Sequence, residues 1–537
     1  MTARTLLQNG IIVDGSGQPA FTGNVAIDNG RIVEVGVFEG FSSDLVIDVT
    51  DLIIAPGFID SHSHSTLKIF EDPYAEAKTR QGITTEIFGQ DGISLAPLPT
   101  KYISPWRKNL AGLEGDSDII DWRHETTAGY LQLLEQTGIG PNVGYLAPHG
   151  NIRMEAMGLT QRHATASEIS LMKEITRREL ESGALGLSTG LIYIPCAYAD
   201  TSELIELNRV VAEYDGVFVV HQRSEADEIL ASMEEIFHIG RESGVKLHFS
   251  HFKVCGKNNW DKIDRIIELL DQARDEGLQV SFDQYPYVAG STMLGVILPP
   301  WAHEGGTDRL LERLHDPQLR RQMVRDIESG LPNWDNFVEF AGLDQIFVTS
   351  VKTDANRDLI GKNLVDIGRM RGKTPYDAAF DLLRDEENAV GMVDFYGKEE
   401  HIVRFLCRPE QNLCTDGLLG GTPHPRAFGA FPRVLGKYVR EERVLSLESA
   451  VRKMTAKTAE VFGLSERGRV AVGYCADLVV FDPQTVLDRG TFINPRQYPD
   501  GIRHVLVNGE LVLQNGQLLK STRAGRVLRA AKKTHTL

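Results

Sequence analysis

Eight short apolar stretches, several of them separated by amphipathic ones, constrain this chain more than any other feature. They are Ile53–His64, Thr84–Gly92, Asn142–Gly150, Ala184–Gly190, Val217–Ser224, Lys246–Lys253, Gln279–Tyr287 and Gln411–Gly417. Segments of helical period, such as Ser167–Ser182, Ser202–Tyr214 and Trp260–Glu276, lie between several of them. A parallel strand needs a crossover to return, so strands alternating with helices imply a parallel sheet. Eight such units predict an α/β fold, a (β/α)8 TIM barrel. Residues from about 290 to 410 separate the last two strands, far more than a loop needs, and read as a helical insertion over the barrel mouth.

The two ends have a different texture. Thr5-Leu-Leu-Gln-Asn-Gly, Ile11-Ile-Val-Asp-Gly and Asn24-Val-Ala-Ile-Asp-Asn-Gly pair apolar runs with hairpin turns, and Val505-Leu-Val-Asn-Gly and Leu511-Val-Leu-Gln-Asn-Gly repeat the pattern. Residues 1–55 and 466–537 are therefore expected to build one small β-sandwich domain around a barrel of residues 56–465. The basic tail from Arg523 to Lys533 reads as a solvated helix or a frayed end.

Composition narrows the partners. Lys and Arg number 57 against 74 Asp and Glu, a net charge of −17, which disfavours nucleic acid or an anionic membrane as a generic partner. Cys196, Cys255, Cys407, Cys414 and Cys475 are few, odd in number and unpatterned, which points to a reducing cytoplasm rather than a disulfide framework. The first residues lack the apolar core of a signal peptide, and no run reaches the length of a membrane span. A small molecule is the expected partner, and a homo-oligomer stays open.

In such a barrel the chemistry sits at the C-terminal ends of the strands. The first stretch, Ala55-Pro-Gly-Phe-Ile-Asp-Ser-His-Ser-His64, ends in His62 and His64, two residues apart and so on one face. Later stretches end in Asp91, His149, His221, His251 and Asp416. Singly, a strand-end His is usually a hydrogen-bonded structural residue, and an Asp before Gly usually forms a turn. Their shared position at strand ends points instead to a metal site of the zinc type, with Asp416 as general base toward a water activated by the metal. No Ser or Cys nucleophile motif competes with that reading.

These residues, in this order, resemble the amidohydrolase superfamily and, more closely, the D-aminoacylase (N-acyl-D-amino-acid deacylase) family. The resemblance runs nearly end to end and is carried by Gly92-Ile-Ser-Leu-Ala-Pro97, Ala184-Leu-Gly-Leu-Ser-Thr-Gly-Leu-Ile-Tyr193, Ser250–Lys253, Asp283-Gln-Tyr-Pro-Tyr-Val-Ala-Gly-Ser-Thr292 and Thr415–Arg433. It implies that His221 and His251 bind a principal zinc and that His62 and His64 belong to a second or weaker position. It further implies that Asp416 is the catalytic carboxylate and that Lys253, Tyr285 and Arg426 hold the substrate's α-carboxylate, with Ser291 beside them. His149 or Tyr193 is expected to donate a hydrogen bond to the developing oxyanion.

Two departures stand out. The family has Cys in a Gly-Asn-Cys-Gly turn where this chain has Gly89-Gln-Asp-Gly92, so Asp91 either supplies an oxygen ligand or merely turns the chain. An oxygen ligand would give a harder site of one or two ions, zinc with manganese or cobalt admitted. The family's acidic residue after His64 is replaced by Ser65-Thr66. Hydantoinase and dihydroorotase relatives use a carboxylated Lys from strand four, and Ala184–Gly190 has none.

No basic residue occurs in Val288–Trp301, so a pocket lined by that segment favours neutral or apolar side chains. The expected activity is deacylation of N-acyl-D-amino acids. Hydrolysis of another amide, cyclic amide or carbamate, and a barrel retained only for binding, stay open as alternatives.

Overall fold

The computed structural model describes residues 4–530. The barrel strands are Phe58–Asp60, Ile83–Phe88, the two halves Asn142–Tyr145 and Ala147–Pro148, then Gly186–Gly190, Val217–His221, Lys246–Phe249, Val280–Gln284 and Gln411–Leu413. Each pairs in parallel with its neighbour. A parallel bridge between Ser63 and Gly417 closes the ring from the eighth strand to the first. Val217–His221 is buried at every residue, as expected of a strand covered on both faces.

The covering helices follow from their caps and apolar stripes. Helix Ala166–Glu181 starts at Thr165, whose hydroxyl accepts from the Glu168 N–H while the Glu168 carboxylate accepts from the Thr165 N–H at 2.8 Å. Such a box contributes about 1 kcal/mol. Met172, Ile175 and Leu180 from this helix join Leu187, Val211 and Phe218 in one cluster, each burial stabilising by roughly 1.5–3 kcal/mol.

The predicted single stretch Ile53–His64 is two strands. Ile53–Pro56 pairs with Ile11 and Ile12 and with Leu478–Phe481, and only Phe58–Asp60 enters the barrel. The change occurs at Gly57, where a Cβ would lie 2.3 Å from Thr84 Cγ2. A nine-stranded sheet takes strands from both ends of the chain, and its Leu7, Ile27, Ile54, Leu478 and Leu506 share one core.

Between the seventh and eighth barrel strands, the helices are joined by a three-stranded antiparallel sheet of Ala289–Met293, Gly391–Phe395 and Ile346–Ser350. The basic tail differs from the expectation of a helix or a frayed end. Val527–Leu528 adds a parallel pairing to Val143 and Gly144, and Arg529 bonds Glu135 at 2.5 Å. Lys532 and Lys533 lie outside the described residues. Among the described residues no helix is long and apolar enough to cross a membrane.

Candidate active site

Five residues converge around Asp91, whose two oxygens face different partners. Oδ2 lies 3.6 Å from His62 Nε2 and 3.4 Å from His64 Nε2. Oδ1 lies 3.6 Å from His251 Nε2 and 3.9 Å from His221 Nδ1. The imidazoles approach in pairs, His62 Nε2 to His64 Nε2 at 3.2 Å and His221 Nδ1 to His251 Nε2 at 2.9 Å. Asp416 Oδ1 completes the first group at 3.8 Å from His62 Nε2 and 3.4 Å from His64 Nε2.

This donor set fits a metal. Two nitrogens bound tetrahedrally at about 2.0 Å stand about 3.3 Å apart, close to the spacing of each imidazole pair. Asp91 Oδ1 is buried without a hydrogen-bond partner, which is costly for a carboxylate oxygen unless a cation meets it. His62, His64 and Asp416 could hold one ion and His221 and His251 another, with Asp91 between them.

Local backbone sets these directions. Asp91, His251 and Asp416 all have positive φ, at 54°, 36° and 47°. Non-glycine residues rarely occupy that region, and its concentration in three of the converging residues places strain where the side chains must be aimed. Close packing holds the Asp91 turn, because a Cβ on Gly89 would meet the Leu146 carbonyl oxygen at 2.2 Å.

A shell of partners fixes the rings. Glu114 Oε1 accepts from His64 Nδ1 at 3.0 Å, so His64 gains a carboxylate partner although Ser65 follows it in sequence. Ser65 Oγ donates to Glu86 at 2.8 Å instead. Glu225 Oε1 lies 3.2 Å from His251 Nδ1, and the Asp283 carboxylate accepts from the His251 backbone N–H at 2.5 Å. Glu114 has no strand-end position or motif to mark it, Glu225 falls one residue past the stretch Val217–Ser224, and sequence reasoning passed over both.

The electrostatics favour a cation. Burial pulls the His64 imidazole down, but hydrogen bonds to Asp416, Asp91 and Glu114 outweigh it and hold the ring well above its ordinary range. Burial pushes Asp416 up, yet the Arg426 guanidinium at 2.9 Å keeps it far below the usual carboxylate range. A field that so favours positive charge on His64 also suits a divalent ion. His221 is held down at about 4, chiefly by burial, which leaves its imidazole neutral as a ligand requires.

Lys253, Tyr285, Arg426, Ser291 and Tyr193 line one cavity with His64, His221 and His251. The two cations there are already paired, Lys253 with Glu225 at 2.7 Å and Arg426 with Asp416. Arg426 stacks 4.3 Å from the centre of the Tyr285 ring and donates to the Ser291 carbonyl at 3.0 Å. The Tyr193 hydroxyl meets Thr292 Oγ1 at 2.8 Å.

His149 does not join them. Its ring nitrogens are taken by Thr189 Oγ1 at 2.9 Å and Glu203 Oε1 at 2.8 Å. It opens helix His149–Met157 behind the Asp91 turn, so the expectation that it faces an oxyanion is corrected to a buried structural role. Phe337, Phe340, Asp394 and Tyr396 of the insertion form the remaining wall.

Residues 45–326 and 415–513 match a family model described as the amidohydrolase family. Over 97% of both chains the sequence is 36% identical to D-aminoacylase of Alcaligenes xylosoxydans xylosoxydans. N-acyl-D-glutamate deacylase from Bordetella bronchiseptica, solved with zinc and a phosphonate mimic of the reaction's tetrahedral intermediate, superposes with a TM-score of 0.84 at 34% identity. That match covers 99% of this chain and 100% of the other. A D-aminoacylase structure with a binuclear metal centre superposes with a TM-score of 0.82 at 35% identity over 98% of this chain and 99% of that one.

Proposed function

This chain belongs to the amidohydrolase family, and on that premise we propose that it deacylates N-acyl-D-amino acids with neutral side chains, releasing a carboxylate and a free D-amino acid. The observation that carries this reading is Asp91, one carboxylate facing two pairs of imidazoles. His62, His64, Asp91 and Asp416 would hold one ion and His221, His251 and Asp91 another. Zinc suits these donors, and Asp91 in place of a thiolate admits manganese or cobalt. When bound, the metal supplies Lewis acidity toward the acyl carbonyl and lowers the pKa of water.

The protein's own groups do the rest. Asp416 Oδ1 takes the proton of the attacking water and passes it to the leaving nitrogen, while Arg426 holds its other oxygen. Lys253, Tyr285 and Arg426 lie together on the wall where an α-carboxylate would orient the amide, and both cations would share it with Glu225 and Asp416. Tyr193 lies on the wall beside His221, its ring centre 5.5 Å from that imidazole, and would donate to the carbonyl oxygen as negative charge develops there. Five free thiols accord with a reducing cytoplasm.

Elemental analysis of the wild type and Asp91→Ala, each assayed on N-acetyl-D- and N-acetyl-L-amino acids, tests the reading. About two metals per chain falling to one or none, with D-selective deacylation by the wild type, is expected. Bound metal without turnover of any N-acyl amino acid would remove the substrate assignment.

A further inference from the structure

Asp394 is a carboxyl that the proposed chemistry leaves unused. It lies on the insertion strand Gly391–Phe395, 1% exposed, and lines the same cavity as His64, His221 and His251. Its Oδ2 is buried without a hydrogen-bond partner. The two cations on the same wall are engaged elsewhere, Lys253 by Glu225 and Arg426 by Asp416.

The surroundings keep this carboxyl inside the cavity. Asp394 pairs across the sheet with Gly290, which has no side chain to fill the space. A Cβ there would come within 2.8 Å of Tyr396 Cε1 and 3.2 Å of Asp394 Oδ1. Phe337 and Phe340 supply apolar walls, so a group reaching Asp394 is removed from water. An unpaired carboxyl in such surroundings is held near a pKa of about 7, chiefly by burial.

We propose that Asp394 selects the substrate side chain, accepting a hydrogen bond from an amide or hydroxyl group and turning a carboxylate away. The proposal rests on the N-acyl-amino-acid reading of the site. The metal cluster would take the scissile amide, and Lys253, Tyr285 and Arg426 the α-carboxylate. Asp394 then remains as the carboxyl with an unpartnered oxygen on the wall open to what is left of the substrate, its side chain. A donor satisfies the orphan oxygen, whereas an apolar side chain buries it unpaired and a carboxylate sets like charge against it.

The test compares kcat/KM for N-acetyl-D-glutamine, N-acetyl-D-methionine and N-acetyl-D-glutamate, with N-acetyl-D-alanine as the short-side-chain reference. The wild type is expected to favour glutamine over methionine by on the order of tenfold or more and to turn glutamate over least. Asp394→Leu should reverse the glutamine–methionine order. Asp394→Asn keeps the shape, retains glutamine and should gain about tenfold on glutamate.

Side-chain ratios that match in the wild type and both variants, with all rates falling together, would assign Asp394 a structural role and overturn the proposal. Turnover of alanine without preference among the longer side chains overturns it while sparing the deacylase reading. No turnover of any of the four removes that reading, and the proposal with it.

Discussion

The backbone N–H of Asp416 donates to the carbonyl of His62 at 2.9 Å. The carboxylate at the end of the last barrel strand is thereby tied to the first imidazole by a bond one residue before the Ser63–Gly417 bridge that closes the ring. Beneath it, Asp60 Oδ1 accepts from the Thr415 N–H at 2.8 Å, and Lys78 bonds both Asp60 and Thr415. Closure of the barrel and placement of the general base are one structural event.

Asp416→Asn is expected to lower kcat by roughly 10²–10⁴, because the amide cannot take the water's proton, while KM changes little. Steady-state kinetics on an N-acetyl-D-amino acid, with metal content measured on the same sample, checks this. A variant that binds metal normally and keeps kcat within about tenfold of the wild type would remove Asp416 from proton transfer.

Lys78 is fully buried, with Nζ 2.7 Å from Asp60 Oδ2 and 3.6 Å from Glu86 Oε2. Removing the cation leaves two carboxylates uncompensated in the interior, so Lys78→Met should destabilise the protein by about 3–5 kcal/mol. Adding Glu86→Gln should recover part of that loss. Denaturant midpoints of the single and double variants decide it, and a single variant as stable as the wild type would contradict the ion-pair account.

Glu114 Oε1 sits 3.0 Å from His64 Nδ1 and fixes the ring so that Nε2 faces Asp91. Glu114→Gln keeps the shape but weakens the acceptor, so metal affinity should fall by roughly 10–100-fold. Competition against a chelator measures it. Affinity within twofold of the wild type would show that His64 needs no such partner.

The strand-end residues were legible because each closes or follows an apolar run, although the first strand itself stops at Asp60 and His62 and His64 lie in the chain just beyond it. The barrel followed from eight apolar runs, each short enough to be a buried strand. Glu114 and Glu225 were not legible, since each reaches its histidine through a loop whose path no local pattern encodes. His149 misled for the opposite reason. It ends an apolar run like the other histidines, but it begins a helix, and Glu203 captures its ring. The strand at Val527–Leu528 is too short and too flanked by Arg to announce itself, and depends on pairing with the side of Asn142–Tyr145 away from Ile83–Phe88.

Asp335 gives a pH signature. Its carboxyl is buried and accepts from the Glu225 N–H at 2.7 Å, and burial outweighs that bond to raise its pKa from 3.8 to about 7. Unfolded, the group ionises through its ordinary range, while the folded protein keeps the proton until about 7. The folded state therefore binds more protons across that interval, so this residue's contribution makes stability fall as pH rises from about 4 to about 7, with the penalty complete above it. Asn keeps an acceptor for the Glu225 N–H and has no charge to bury. The melting-temperature advantage of Asp335→Asn over the wild type should accordingly be larger at pH 8 than at pH 5. A difference that is flat or shrinks with rising pH would mean that Asp335 is ionised in the folded protein throughout.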